Sequence, residues 1–215
     1  MVHILGSKNS LFNHFISEIR DVNIQKDSMR FRRNLERMGE IMAYEISKEM
    51  DYATKEITTP LGQSNIPLLK QQPVIATILR AGLPLHQGFL NYFDNAENAF
   101  VSAYRKHNKD GSFNIEVEYL SSPFITDKTL ILTDPMLATG ASIVLVYKAL
   151  MQRGKPKHTH IVALIASSEG VEYVRKNLPE NVTLWCGAVD EELTAQSYIV
   201  PGLGDAGDLA FGTKI

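Results

Sequence analysis

The residues best suited to chemistry sit in one stretch, Lys128-Thr-Leu-Ile-Leu-Thr-Asp-Pro-Met-Leu-Ala-Thr-Gly-Ala-Ser142. The apolar run at its start reads as a buried strand, and apolar residues resume at 144–150 with the character of a packed helix. Between them, Ala138, Gly140 and Ala141 are small enough to leave main-chain N–H groups open to an anion, while Thr139 and Ser142 add hydroxyls. A helix beginning there adds the favourable end of its dipole. A triphosphate cradle would bring the lysine of a Gly-Lys-Ser/Thr ending, but this loop carries a carboxylate, Asp134, instead. A carboxylate beside a phosphate makes sense when the ligand also presents donors such as sugar hydroxyls. The residues therefore point to a sugar phosphate.

Other candidates carry weaker signals. Arg80 directly follows an apolar run at 74–79, where a cation is costly unless paired, so a structural ion pair and a phosphate ligand are both open to it. Gly202-Leu-Gly-Asp-Ala-Gly207 matches Gly-x-Gly-x-x-Gly. It lies too near the C-terminus for a following helix and βαβ unit, so a dinucleotide site fails on context and a Gly-rich terminal loop is left. His158 and His160 share one face of a strand, as metal ligands do, with no third ligand nearby in sequence. Cys186 is the only cysteine and sits in an apolar run, which excludes an internal disulfide and suggests a buried, inert thiol. Arg30, Arg32, Arg33 and Arg37 invite a phosphate or RNA reading, against the plainer one of a solvated or subunit-facing surface.

The elements needed to position these residues alternate between strand and helix. Strand candidates are 74–79, 100–104, 130–133, 160–166 and 182–186, and helical stretches at 83–92, 141–151 and 170–177 fit crossovers. Phe31, Leu35, Met38 and Met42 recur at helical spacing nearer the N-terminus. This is the pattern of an α/β fold, a parallel twisted sheet flanked by helices, whose ligands gather at the carboxyl ends of the strands. Arg80, Arg105 and Asp134 each fall just past such an end. Residues 109–119 differ: an Asp-Gly turn signal and alternation of Phe113, Ile115, Val117 and Tyr119 suggest a projecting β-hairpin arm. At 215 residues, 44% hydrophobic and 21% charged, one domain spanning 1–215 is expected. Lys plus Arg, 22, nearly balance Asp plus Glu, 24, which argues against nucleic acid or an anionic membrane as partner. No apolar run approaches the roughly 18 residues of a bilayer span, and a cytoplasmic location is expected.

Asp134-Pro-Met-Leu-Ala-Thr-Gly140 resembles the phosphoribosyl-diphosphate loop of the uracil phosphoribosyltransferase family. Segments agreeing in order and spacing are Ile78-Leu-Arg-Ala-Gly82, Tyr104-Arg105, and Tyr198-Ile-Val-Pro-Gly-Leu-Gly-Asp-Ala-Gly-Asp208 followed by Phe211-Gly-Thr213. The Asp134-Pro135 pair stands where purine, orotate and regulatory relatives usually carry two acidic residues. The resemblance implies a type I phosphoribosyltransferase fold with a hairpin arm that wraps a neighbouring subunit, a C-terminal hood loop over the base, and a homodimer or larger assembly. It implies the reaction of uracil with 5-phospho-α-D-ribose 1-diphosphate (PRPP) to give uridine monophosphate (UMP) and diphosphate. Mg²⁺ would arrive on PRPP rather than on protein ligands. Arg80 and Arg105 would hold the diphosphate, Asp134 the ribose hydroxyls, and Pro135, Met136, Leu137, Ala138, Thr139, Gly140, Ala141 and Ser142 the rest of the PRPP loop. Ile199, Gly204, Asp205 and Ala206 would contact uracil, and Asp205 would also meet the diphosphate or a metal-bound water. Arg80, Arg105, Asp134 and Asp205 would carry the catalysis, with no evident general base. Some resembling enzymes bind guanosine triphosphate (GTP), a role the arginines at 30–37 could fill. Ala141 departs from the glycine common in the family; its methyl would tighten the phosphate loop or require φ below zero, and alanine suits a first helical turn. The competing class is a phosphoribosyltransferase-like regulator binding nucleotides or RNA with little activity, which calls for a basic face that the charge balance does not support.

Overall fold

The computed structural model describes residues 1–107 and 113–213, with the side chains of 104–107 and 113–116 outside that description. In chain order the first elements are β1 (Val2–Ile4), α1 (Leu11–Arg20), α2 (Ser28–Ser47), β2 (Tyr52–Thr59), β3 (Gly62–Leu69), β4 (Val74–Leu79), α3 (Gly82–Leu90), β5 (Glu97–His107) and β6 (Phe113–Ser121). There follow β7 (Thr129–Thr133), β8 (Met136–Leu137), α4 (Ala141–Leu150), β9 (His158–Ser167), α5 (Ser168–Asn177), β10 (Val182–Asp190), β11 (Glu192–Leu193), β12 (Ile199–Val200) and α6 (Ala206–Phe211).

The strands at the centre are buried along nearly their whole length rather than at alternate residues, as parallel strands covered on both faces are. The main sheet runs β1-β10-β9-β7-β4-β5-β6, with β8 also on β9, and only the β5–β6 pairing is antiparallel. Ile75 and Ile131 face a core shared with Phe31, Leu35, Met38 and Met42 of α2. Their neighbours Val74, Ala76, Leu130 and Leu132 face the opposite core, under Ile143, Val146 and Leu150 of α4. The α2 stripe begins cleanly because Asp27 accepts from the amides of Met29 and Arg30. From β4 the chain moves outward to β5 and β6, then returns to the other side of β4 as β7. That reversal opens a crevice at the carboxyl ends of β4 and β7. No helix among the described residues is long and apolar enough to cross a membrane.

The expected strands and crossover helices are all present, with ends shifted by a few residues. One expectation needs correction. β5 continues to His107, so Arg105 lies within the strand, its backbone opposite Ile115 of β6, rather than past the strand's end. β4 pairs β5 only as far as Ser102, whereas β5 and β6 pair on to His107 and Phe113, so 103–107 and 113–117 run on as a two-stranded hairpin beyond the β4 pairing, with Val117 packed on the core and Tyr119 exposed. Residues 108–112, which hold the Asp-Gly signal, lie outside the described residues. β2–β3 forms a separate two-stranded sheet with Tyr52 opposite Leu69 and Thr59 opposite Gly62.

Candidate active site

Thr77 of β4 and Thr133 of β7 are register partners, so Arg80 and Asp134 leave the sheet from adjacent strands. The loop after β7 is then fastened to β9 by main-chain bonds. The Asp134 amide donates to the Val162 carbonyl at 3.0 Å, and the Pro135 carbonyl accepts from Leu164 and Ile165, both at 3.0 Å. Further along, Ser167 Oγ donates to the Ala138 carbonyl at 2.5 Å while accepting from the Gly170 amide at 2.8 Å, so α5 and the loop share one hydroxyl. The loop enters α4 through Gly140 at φ 78°, where a Cβ would stand 2.9 Å from the Gly170 carbonyl oxygen. The left-handed conformation thus falls on Gly140, and Ala141, the first helical residue, meets no such demand. Gly140 at the N-cap of α4 offers no side chain, and of the first amides only that of Ala141 donates to a side chain, Thr139 Oγ1 at 3.4 Å, which leaves the following amides and the dipole to an anion in the cavity.

Asp134 is half-buried, and burial pushes its carboxyl up to about 7 against a single donor, the Met136 amide at 3.2 Å. Arg80 donates to Asp208 Oδ1 and to the Gly212 carbonyl, each at 3.2 Å, while its buried Nε has no partner among the described residues. The ion pair and the vacant donor coexist on one guanidinium. The Arg105 side chain lies outside the described residues.

The opposite wall is the segment between β11 and α6. Ile199 and Ala206 are buried, Gly202 (φ 53°) and Gly204 (φ 95°) turn left-handed, and Asp205 caps α6 by accepting from the Asp208 amide at 3.0 Å. The two walls enclose a cavity of about 710 Å³. It brings together the expected Arg80, Asp134, Met136, Leu137, Ala138, Thr139, Gly140 and Ser142 with Ile199, Gly204, Asp205 and Ala206. Pro135 and Ala141 do not line it; they shape the loop from behind. Sequence reasoning missed Ile78, Ala81, Ser102, Ala103, Ile143, Gln196 and Ser197, which also line it. Most of their side chains are apolar or small, and the Gln196 amide stands in no recognisable motif. It also missed Arg20 and Asp190, which join Gly202 from outside the cavity.

The remaining candidates are accounted for within the chain. Arg30 pairs with Glu18, whose carboxyl the bond holds down at about 2, and Arg33 pairs with Glu36. Arg32 donates to the Ala210 carbonyl at 2.6 Å, and Arg37 donates to Asn34 Oδ1 at 3.2 Å. His160 Nδ1 accepts from the Trp185 indole at 3.1 Å, and burial pushes that imidazole down to about 3. Cys186 is buried, its thiol pushed up to about 12 by loss of solvent. Among the described residues no group of three or more His, Cys, Asp or Glu is arranged to hold a metal ion.

A family model described as uracil phosphoribosyltransferase matches residues 6–213. A uracil phosphoribosyltransferase of Porphyromonas gingivalis is 58% identical over 211 residues, covering 98% of each chain. One from Thermococcus gammatolerans is 39% identical over 203 residues, covering 93% of this chain and 88% of the relative. Among solved structures, the AQ2163 protein from Aquifex aeolicus superposes over 100% of both chains with a TM-score of 0.87 at 28% identity. A hypoxanthine phosphoribosyltransferase from Staphylococcus aureus shares the fold at a TM-score of 0.51 and 13% identity, over 86% of this chain and 83% of its own.

Proposed function

This chain belongs to the uracil phosphoribosyltransferase family, and from that premise we propose that its cavity joins uracil to PRPP, giving UMP and diphosphate in pyrimidine salvage. It is a pentosyltransferase, built as one phosphoribosyltransferase domain over 1–215, with the cytoplasm as its proposed compartment. The observation that carries the reading is a single cavity with two unlike walls, an uncapped helix start beside Asp134 and a tightly turned glycine loop over buried Ile199 and Ala206.

The barrier is cleavage of the anomeric bond, with positive charge developing on ribose and negative charge on the departing diphosphate. Electrostatic stabilisation therefore dominates. The amides and hydroxyls at 138–142 hold the 5′-phosphate, and the Asp134 carboxylate accepts from ribose hydroxyls. Arg80 and Arg105 receive the diphosphate, for which a permanently charged planar fork is well suited; at Arg80 the diphosphate takes the place of Asp208. The carboxylates lining the cavity, Asp134 and Asp205, form no metal-ligating cluster, a donor set that suits a hydrated Mg²⁺ arriving on PRPP. Mg²⁺, when bound, neutralises charge on the leaving group. Removal of the uracil proton is assigned to no residue.

A homodimer or larger assembly is supported by the β2–β3 hairpin, which pairs with nothing in the main sheet and exposes Leu61 fully, with Ile66 and Leu68 also exposed. Sedimentation at micromolar concentration is expected to show a species heavier than the 24.0 kDa monomer; a monomer alone defeats the assembly. A GTP effector on the α2 arginines has less support, since it would displace the partner each already has.

The decisive experiment incubates the purified chain with PRPP, Mg²⁺ and each nucleobase in turn and separates the nucleotides formed. UMP from uracil is expected. Turnover of another base with none of uracil overturns the reading.

A further inference from the structure

We propose that Arg20 and Asp190 are a positioning pair that sets the path of the base-binding loop, an inference that rests on uracil occupying the 199–206 wall. Asp190 ends β10 and Arg20 ends α1, and they meet as a two-pronged pair, Nη1 to Oδ2 and Nη2 to Oδ1, both at 2.8 Å. The pair closes on one residue of the loop. Arg20 Nη1 also donates to the Gly202 carbonyl at 2.8 Å, and the Gly202 amide donates to Asp190 Oδ2 at 2.9 Å. Both main-chain groups of Gly202 are thus held by one ion pair.

Gly202 is where the loop folds back on itself. At φ 53° it brings the chain so close to Ile199 that a Cβ would sit 2.1 Å from the Ile199 carbonyl oxygen. Fixing Gly202 therefore fixes where Ile199 and Gly204 meet the cavity, although neither Arg20 nor Asp190 lines it. The side chains are 20% and 8% exposed, so the charge-assisted bonds are shielded, and removing one partner strands the other.

The phosphate wall is held by an analogous contact one strand away. Asp190 is the register partner of Ser167, whose hydroxyl holds the Ala138 carbonyl. Neighbouring strands lie roughly 4.8 Å apart, so the separation of the two walls is set by a single row of the sheet. Ser167 and Asp190 are accordingly expected to affect different substrates.

The test compares Arg20→Met, Arg20→Lys, Asp190→Asn and Ser167→Ala in the full chain, measuring KM for uracil, KM for PRPP and kcat below each variant's melting temperature. Arg20→Met and Asp190→Asn are expected to raise KM for uracil about tenfold with KM for PRPP within about twofold of the parent, and Ser167→Ala to do the reverse. Arg20→Lys, which keeps the charge but loses the fork, should fall between the parent and Arg20→Met. If Arg20→Met does not fold, Arg20→Lys and Asp190→Asn decide. Both KM values moving together, or activity falling only in step with melting temperature, overturns the positioning role. If the parent turns over another base and not uracil, the functional reading fails instead, and the positioning role is judged on KM for that base.

Discussion

The two walls of the cavity are built on different principles. The phosphate wall is continuous in sequence, a strand, a loop and a helix, and its loop is fastened to the neighbouring strand largely by main-chain bonds. The base wall has little regular structure and is held by an arginine 182 positions away from the glycine it grips. An anion needs only open amides and a dipole, which a strand-to-helix turn supplies locally. A flat ring needs a particular backbone path, and a loop takes such a path only when tertiary contacts impose it.

The largest expected effect probes the base wall. Main-chain amides donate and carbonyls accept, and no side-chain change reverses them. Uracil presents carbonyl acceptors on either side of an N3 donor, whereas cytosine replaces one acceptor by an amino donor and makes N3 an acceptor. Cytosine is therefore expected to lose roughly 10⁴-fold in kcat/KM, while 5-fluorouracil, which keeps the pattern, is accepted. Similar values for cytosine and uracil at saturating PRPP and Mg²⁺ would erase the distinction between the walls.

On the phosphate wall, Asp134→Asn keeps the shape but removes the charge that orients ribose. A loss of about 1.5–3 kcal/mol in transition-state binding is expected, read as a fall in kcat/KM with the fold intact. An unchanged kcat/KM in a folded variant means that Asp134 does not hold the ribose.

A smaller effect is expected from Gly140→Ala, which puts a side chain in a left-handed position at about 1–2 kcal/mol and crowds the Gly170 carbonyl. KM for PRPP should rise while KM for uracil stays level. A rise in both would mean the walls are mechanically coupled.

The smallest effect is on stability. The folded Asp134 carboxyl, near 7, lies above the unfolded value of about 3.9. Its protonated form is thus favoured by folding, a contribution fully present below about pH 4 and lost as pH rises through about 7. Asn has no proton to lose. Asp134→Asn is expected to melt above the parent at pH 8 and level with it at pH 4. Equal melting temperatures at both pH values would show that ionised Asp134 costs the empty site nothing.

The same contrast explains what the sequence disclosed. The run at 128–142 and the strands beneath it were legible because their signals are local: apolar runs buried on both faces and small residues before a helix. Glycines 202 and 204 were legible as a turn, but nothing near them names Arg20, and an arginine at the end of an amphipathic helix has no mark of purpose. The β2–β3 hairpin escaped notice because its exposed residues give only faint alternation and Pro67 interrupts it. The alternation at 113–119 marks a strand that pairs with β5, much of it beyond the reach of β4. Arg105 was misplaced because antiparallel pairing carries β5 beyond its apolar run.

Burial of the central strands on both faces also orders how the molecule comes apart. Local opening is easiest where few apolar contacts hold, at the detached β2–β3 hairpin and at the sheet edges, and hardest along β4, β7 and β9. Arg80 and Asp134 hang from the ends of β4 and β7. Partial unfolding from the periphery would therefore leave the anion cradle assembled after the outlying parts had come loose.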